Sequence, residues 1–383
     1  MGADLLCCII DRDLGKMADS GERTDMDSIR GEIDDIDKRL IELLRERASL
    51  AQAIGRLKGS DGRPFFTPER ERQIYERLRA EDVSPLRPDQ VVAIFREVIS
   101  AARAAEKQMS VSYWGPAGTY SHLAAMETFG RSTSFEPADT IEDVFRAVEQ
   151  NRADYGVVPI ENSIFGVVPE TLDMFPQTNV RICAETFVPI HHNLASTAAS
   201  LDDIERIYAG PQPYNQCRHW IKANLAGAEI VNVTPTSRAA QMAAEDPRGA
   251  AVANRLCTEL YGLTILREHI EDKAKNTTRF VIVGYNEPAP SGRDKTSIMF
   301  SLRNRPGQLY TVLGAFERHG VNLMMIESRP AQRASFEYIF YVDCADHHTG
   351  SGLTAAIAEI KEFALETTIL GSYPSNDPNL VSI

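Results

Sequence analysis

Residues 27–58 read DSIRGEIDDIDKRLIELLRERASLAQAIGRLK, and the spacing of their apolar positions decides how the first part of the chain folds. Ile29, Ile33, Ile36, Leu40, Leu43, Leu50, Ile54 and Leu57 recur at alternating steps of four and three, the period of one helix face. Arg47 occupies the slot where an apolar residue is due. No proline interrupts the run; Asp27 can cap its start, and Gly59, Asp61-Gly62 and Pro64 end it. At ~1.5 Å per residue this helix is longer than a small helical monomer can cover. A second helix fits Glu69 to Arg79, and a third, entered through Arg87-Pro88-Asp89, runs from Gln90 to Lys107. The pattern therefore predicts an intertwined homodimer.

An arginine in a hydrophobic seam is costly unless it meets an anion. Lys58 lies close to a whole number of turns beyond Arg47, so both project from one face, roughly 16 Å apart. Arg30 sits ~25 Å from Arg47 and off that face, but in an antiparallel partner helix it reaches the other chain's pocket. Arg70 and Glu71 open the second helix and Glu106 closes the third. Singly, each reads as an ordinary ion pair on a solvated face.

Beyond this segment the period changes. Over 109–286 short strands alternate with helices: Val111–Trp114, Tyr155–Ile160, Val180–Ala184, Arg206–Ala209, Ile230–Val233, Gly249–Ala253 and Phe280–Val283. This is an α/β region long enough to split into two lobes with a cleft between them. Asn286 to Asp294 reads as a linker. After it, at 295–375, comes strand, helix, strand, strand, helix, strand, the βαββαβ order of a ferredoxin-like α+β domain. Residues 1–25 show no period and read as a disordered tail, with Met17 or Met26 as alternative starts.

Composition narrows the function. The chain has 383 residues and a formal net charge of −13, which argues against general nucleic-acid binding. Residues 27–107 carry 16 basic and 16 acidic side chains, so the acidity lies elsewhere. No apolar run approaches the ~20 residues of a membrane span. Leu5 to Ile10 is too short for an export signal and is flanked by Asp4 and Asp11, so a soluble, cytoplasmic protein is expected. The 6 cysteines include no CxxC, and His191-His192 and His347-His348 are adjacent pairs whose rings do not converge. No metal or organic cofactor is expected.

The α/β region lacks a nucleophile–His–acid set and a phosphate loop. It carries four hydroxyl-rich runs at strand ends: Gly115-Pro-Ala-Gly-Thr119-Tyr-Ser121, Val158-Pro-Ile-Glu161-Asn162-Ser163, Thr234-Pro-Thr236-Ser237 and Asn276-Thr-Thr278-Arg279-Phe280. Singly these read as caps and turns; together they suggest a polar cleft for a small anion.

Over 26–108 the chain resembles the all-helical chorismate mutase family, through Ile29-Arg30, Leu44-Arg-Glu-Arg47, Gly55-Arg-Leu-Lys58, Arg70-Glu71 and Phe95-Arg-Glu-Val-Ile-Ser100. That resemblance implies that Arg30 from a partner chain, Arg47 and Arg70 hold the chorismate carboxylates. Lys58 would bond the ether oxygen, and Glu71 the substrate hydroxyl. Some members have Gln where this chain has Glu106, which can donate to the ether oxygen only when protonated.

Residues 109–286 are similar to the prephenate dehydratases, through Val158-Pro-Ile-Glu-Asn-Ser163 with Gly166, Pro211-Gln212-Pro-Tyr-Asn-Gln-Cys217 and Thr278-Arg-Phe280. The family fold is two α/β lobes like a periplasmic binding protein. The resemblance implies Thr278 as the residue on which catalysis depends most. Its hydroxyl is a weak acid, so it is expected to act as hydrogen-bond donor or relay, with Glu161 as a proton source. Substrate would be bound by Thr119, Asn162, Ser163, Gln212, Thr236, Ser237, Arg279 and Phe280. Carboxylates would go to Arg279 or to backbone amides near Thr119 and Ser237. Gly210 and Pro235 depart from residues usual in the family.

Residues 295–375 look like an ACT domain, through Arg305-Pro-Gly307-Gln-Leu309-Tyr310, Gly320-Val-Asn322-Leu323 and Glu327-Ser328-Arg329-Pro330. A phenylalanine pocket at a dimer interface is implied, formed by Gly307, Leu309, Tyr310, Asn322, Leu323, Glu327, Ser328 and Arg329. Gln308, where a small residue is common, would lower its sensitivity.

Together the three resemblances imply a bifunctional enzyme, chorismate mutase and prephenate dehydratase, inhibited by phenylalanine. It would form a homodimer through the helical and ACT domains, or a tetramer. Two alternatives remain at this point: a dehydratase whose helices only dimerise it, and a non-catalytic amino-acid-sensing protein.

Overall fold

The computed structural model describes residues 26–61, 63–273, 275–331 and 338–377. The predicted tail at 1–25 lies outside them. The helical segment forms α1 (Met26–Asp61), α2 (Pro68–Ala80) and α3 (Pro88–Glu106). Pro68 and Pro88 start their helices where a missing N–H costs nothing. α1 packs on α3 through its small residues, not its large ones. Gly55 is the one buried residue of α1, and a Cβ there would lie 2.9 Å from the Glu106 Cβ. The stripe of Ile and Leu is left open, with Ile33, Leu40 and Leu50 each at least half exposed.

The α/β region begins with β1 (Ser110–Trp114), α4 (Tyr120–Phe129), β2 (Ser134–Ala138), α5 (Ile141–Glu149) and β3 (Tyr155–Asn162). Then come β4 (Gly166–Val167), α6 (Pro169–Met174) and β5 (Arg181–Pro189). Residues 190–192 cross to a second lobe holding β6 (Asn193–Ser196), β7 (Arg206–Ala209), α7 (Pro211–Gln216) and α8 (Arg218–Asn224). It continues with β8 (Glu229–Asn232), α9 (Thr236–Glu245), β9 (Gly249–Ala253), α10 (Arg255–Leu260) and β10 (Thr264–Arg267). Residues 268–276 return to the first lobe, where β11 (Thr277–Gly284) enters the sheet between β3 and β5. The first sheet runs β2-β1-β3-β11-β5 and the second β10-β6-β9-β7-β8. Both bury continuous apolar strands, as Val157, Val158, Val281, Ile282, Ala251 and Val252 show.

The C-terminal domain comprises β12 (Asp294–Leu302), α11 (Gln308–Arg318), β13 (Leu323–Pro330), β14 (Tyr338–Ala345), α12 (Ser351–Phe363) and β15 (Glu366–Pro374). Its antiparallel sheet runs β13-β14-β12-β15, the ferredoxin-like order. This sheet packs against the first lobe: Met299, Tyr341, Leu370 and Tyr373 share one core with Leu172, Val180 and Ile182. A Cβ at Gly371 would overlap the Ile182 carbonyl, so glycine permits β15 to approach β5 backbone to backbone. The helical segment docks on the same lobe, where Phe66 meets Phe129 at 4.7 Å between ring centres. Arg72 of α2 donates to the Arg293 carbonyl at 2.7 Å and to that of Ser375 at 3.4 Å, tying the helices to both ends of the C-terminal domain. No helix among the described residues is long and apolar enough to cross a membrane.

Candidate active sites

Between α1 and α3 the structure brings together Arg47, Lys58 and Glu106. Arg47 Nη1 donates to the Val98 carbonyl at 3.4 Å, and Lys58 Nζ donates to the Phe65 carbonyl at 3.2 Å. Lys58 Nζ also lies 3.7 Å from Glu106 Oε2, a buried oxygen with no hydrogen-bond partner among the described residues. Burial pushes the Glu106 carboxyl above its ordinary value, against the pull of Lys58, Arg103 and Arg47. A carboxylic acid in its protonated form can donate a hydrogen bond as well as accept one.

Three other expected members of this site sit differently. Glu71 is buried and ion-paired with Arg103 of α3, whose guanidinium also donates to the Phe129 carbonyl at 2.6 Å. Burial raises the Glu71 carboxyl despite Arg103 and Lys58. Arg70 is exposed and bonded to Gln73 at 3.2 Å. Arg30 is exposed near the start of α1, paired with Asp27 at 3.2 Å, and within one chain it does not reach Arg47.

The second site is a cavity of about 770 Å³ between the two α/β lobes. Of the residues expected there, Thr119, Asn162, Gln212, Thr236, Thr278 and Phe280 line it. Asn162 organises the wall. Its Nδ2 donates to Thr278 Oγ1 at 2.9 Å and to Asn276 Oδ1 at 2.8 Å, while its Oδ1 accepts from the amides of Ile164 and Phe165. Because the Thr278 oxygen accepts from Asn162, its own proton is available to a group in the cavity. The polar line continues as Asn276 Nδ2 donates to Gln216 Oε1 at 3.4 Å, which pairs with His192 Nε2 at 2.7 Å. Burial lowers the His192 pKa, favouring the neutral ring. Sequence reasoning missed His192 and Gln216 as lining residues. Their signal was weak, one belonging to a histidine pair judged unable to converge and the other to a family-like run.

Four expectations for the cleft need correction. Arg279 does not face it. Successive side chains of a strand point to opposite sides, so Thr278 and Phe280 face the cavity and Arg279 the other way. Arg279 is 4% exposed, with Nε 2.7 Å from Glu185 Oε2, Nη1 bonded to Asp343 Oδ2 and Nη2 donating to the Tyr373 hydroxyl at 2.9 Å. Glu161 points to that same side, 3.8 Å from Arg279, and does not line the cavity. Ser163 is exposed and accepts from the Thr277 amide at 3.0 Å, and Ser237 is buried without lining the cavity.

Among the described residues, no arginine or lysine lines this cavity. The groups suited to an anion are the first-turn amides of α4 and α9, entering from opposite lobes. Thr119 caps α4 by accepting from the His122 amide at 3.3 Å, whereas Pro235 gives α9 no side-chain cap. Phe165, Val167, Val168, Ile190 and Phe280 give the wall an apolar stretch, and Glu170 also lines it.

In the C-terminal domain, Gly307 takes the left-handed conformation with φ +82° at the start of α11, Leu309 packs on the domain core and Tyr310 is exposed. Asn322 accepts from the Ala345 amide at 2.9 Å just before Leu323 opens β13. Glu327, Ser328 and Arg329 lie along β13, an edge strand. Arg329 is held by Asp173 of the first lobe at 2.7 and 3.1 Å, rather than left free for an effector.

Comparison with known proteins assigns each part to a family. Residues 29–107 match the chorismate mutase type II family, 111–288 the prephenate dehydratase family and 296–362 the ACT domain. The chain is 42% identical over 354 residues to a bifunctional chorismate mutase/prephenate dehydratase of Aquifex aeolicus, covering 91% of this chain and 98% of that protein. Among solved structures, prephenate dehydratase from Arthrobacter aurescens in complex with L-Phe is similar, with TM-score 0.64 and 34% identity over 70% of this chain and 90% of that one. A structure described as GqqA, a quorum quenching acylase, is likewise similar, with TM-score 0.65 and 31% identity over 70% of this chain and 98% of that one.

Proposed function

The chain belongs to the bifunctional chorismate mutase/prephenate dehydratase family, and from that premise we propose which of its residues carry each reaction and how the two are controlled. The mutase step is a rearrangement without a nucleophile. It needs the reactive conformer of chorismate held, and donors placed where charge grows on the breaking C–O bond. Lys58 and protonated Glu106 are the two donors to the ether oxygen. Arg47 holds one carboxylate, and Arg70 together with Arg30 of the partner subunit the other. Glu71, raised by burial, remains our choice for the substrate hydroxyl once substrate competes with Arg103.

In the second reaction prephenate loses water and carbon dioxide and becomes aromatic phenylpyruvate. Thr278 hydrogen-bonds the departing hydroxyl through its own O–H, with Asn162 fixing its orientation. A proton from solvent completes the water that leaves as the ring carboxylate is lost as carbon dioxide. The hydrogen bond from Asn162 to Thr278 is the observation that carries the assignment. The pyruvyl carboxylate of prephenate lies at the amide ends of α4 and α9. The apolar stretch of the wall keeps water from the carboxylate that departs, which favours its loss.

The L-Phe held by the Arthrobacter relative supports phenylalanine as effector here, acting at the ACT domain. The open apolar stripe of α1 and the need for Arg30 support a homodimer through the helices, and the two biosynthetic reactions support a cytoplasmic location.

The test is an assay of the whole chain with chorismate, following phenylpyruvate with and without phenylalanine. Lys58→Ala should lower mutase kcat/KM by about 10²-fold or more and leave conversion of supplied prephenate intact. Thr278→Val should do the reverse. Retained mutase activity in Lys58→Ala would reduce the helices to a dimerisation device.

A further inference from the structure

We propose that His191, His269 and Glu271 form a binding site for a zinc-class divalent ion, bridging the two chain crossovers that join the α/β lobes. His191 lies on the outgoing crossover at 190–192, and His269 and Glu271 on the return at 268–276. Three donor atoms converge there: His191 Nδ1 is 2.7 Å from Glu271 Oε1 and 2.9 Å from His269 Nδ1, and His269 Nδ1 is 3.6 Å from Glu271 Oε1. A triangle with these sides has a circumradius of about 1.8 Å, so an ion ~2.05 Å from all three donors fits about 0.9 Å above their plane, close to ordinary Zn–N and Zn–O lengths. That leaves a fourth position for water, as in a His₂Glu site.

Hydrogen bonds alone serve the cluster poorly. Nδ1 of His191 carries either one hydrogen or one lone pair, and a single hydrogen there must be shared between the carboxylate and the second imidazole. An ion takes a lone pair from each of the three atoms at once.

The surroundings hold the donors in place. The Glu271 side chain is 5% exposed, and its other oxygen accepts from the His192 amide at 2.9 Å. The His191 carbonyl accepts from the Tyr120 hydroxyl at 2.6 Å. His269 has φ +53°, an uncommon backbone for a non-glycine residue, and its amide donates to Asn193 Oδ1 at 3.2 Å. Both imidazoles are partly exposed, so an ion and its water can enter from solvent. Adjacent histidines do not converge, but His191 meets a histidine 78 residues away.

The experiment is calorimetric titration of the EDTA-treated full chain with zinc chloride. The wild type should bind one ion per chain saturably, and His269→Ala and Glu271→Gln should each weaken binding at least ~10-fold. His219→Ala, at an exposed histidine paired with Asp272 outside the cluster, should bind as the wild type does. Because so little of the Glu271 side chain is exposed, a misfolded Glu271→Gln leaves the decision to the exposed His269→Ala, whose far-ultraviolet circular dichroism should match the wild type. Absence of saturable binding in the wild type, or unchanged affinity in a folded His269→Ala, overturns the site.

Discussion

Thr278 and Arg279 are neighbours in sequence with opposite surroundings. One presents a hydroxyl to the cavity between the lobes, and the other is buried in ion pairs against the C-terminal domain. The alternation of strand side chains was legible in Thr278-Arg279-Phe280, and applying it would have separated Arg279 from the cleft. Asn162 and Glu161 were harder to sort, because the β3–β11 register shifts between Arg279 and Phe280, and such a bulge re-aims side chains. The Glu106 carboxyl lies above the ordinary 4.5 through burial. Mutase kcat/KM should therefore fall as pH rises through that raised value, and Glu106→Gln, which donates without titrating, should flatten the profile. A wild-type profile already flat from about pH 5 to 9 would falsify the role given to this residue.

The elements legible in the sequence were those with a long, regular period. The four-three spacing of α1 and the βαββαβ order both match what is observed. The strands β2, β4, β6 and β10 were not read. Each is five residues or fewer, and β2 carries Pro137, so alternation had little room to declare itself. The spacing also concealed which stripe of α1 meets α3, because Gly55 packs there while the larger apolar residues stay open. That open stripe predicts that Leu40→Asp yields a monomer by light scattering. Mutase activity should fall at least ~10-fold with it, because Arg30 would no longer reach a second pocket. A fully active monomer would show that each pocket is complete within one chain.

Across the whole molecule, the change of period exposed three modules but not how they dock, since contacts between distant segments leave no local pattern. The dehydratase lobe and the ACT domain meet through Arg279, Glu185, Lys295 and Asp343, all nearly dry. Burial opposes charge on Asp343, yet Arg279 and Lys295 hold its carboxyl below the usual value. This cluster adjoins Thr278 on one side and the sensor sheet on the other. Asp343→Asn should therefore weaken inhibition by phenylalanine about 5-fold or more and lower stability by ~3 kcal/mol, read from dose–response curves and chemical denaturation. Unchanged inhibition in the folded variant would move the coupling to Arg329 and Asp173.

That no lysine or arginine among the described residues lines the dehydratase cavity has a consequence for how the two activities respond to dissolved salt. Partly exposed cations attract a dianion over a distance that mobile ions shorten, whereas amide hydrogen bonds act at contact. Raising potassium chloride from about 0.05 to about 0.5 M should increase the mutase KM several-fold and change the dehydratase KM less than about two-fold. One polypeptide would then carry an ionic-strength-sensitive first step and an insensitive second, and prephenate formation would become limiting in concentrated electrolyte.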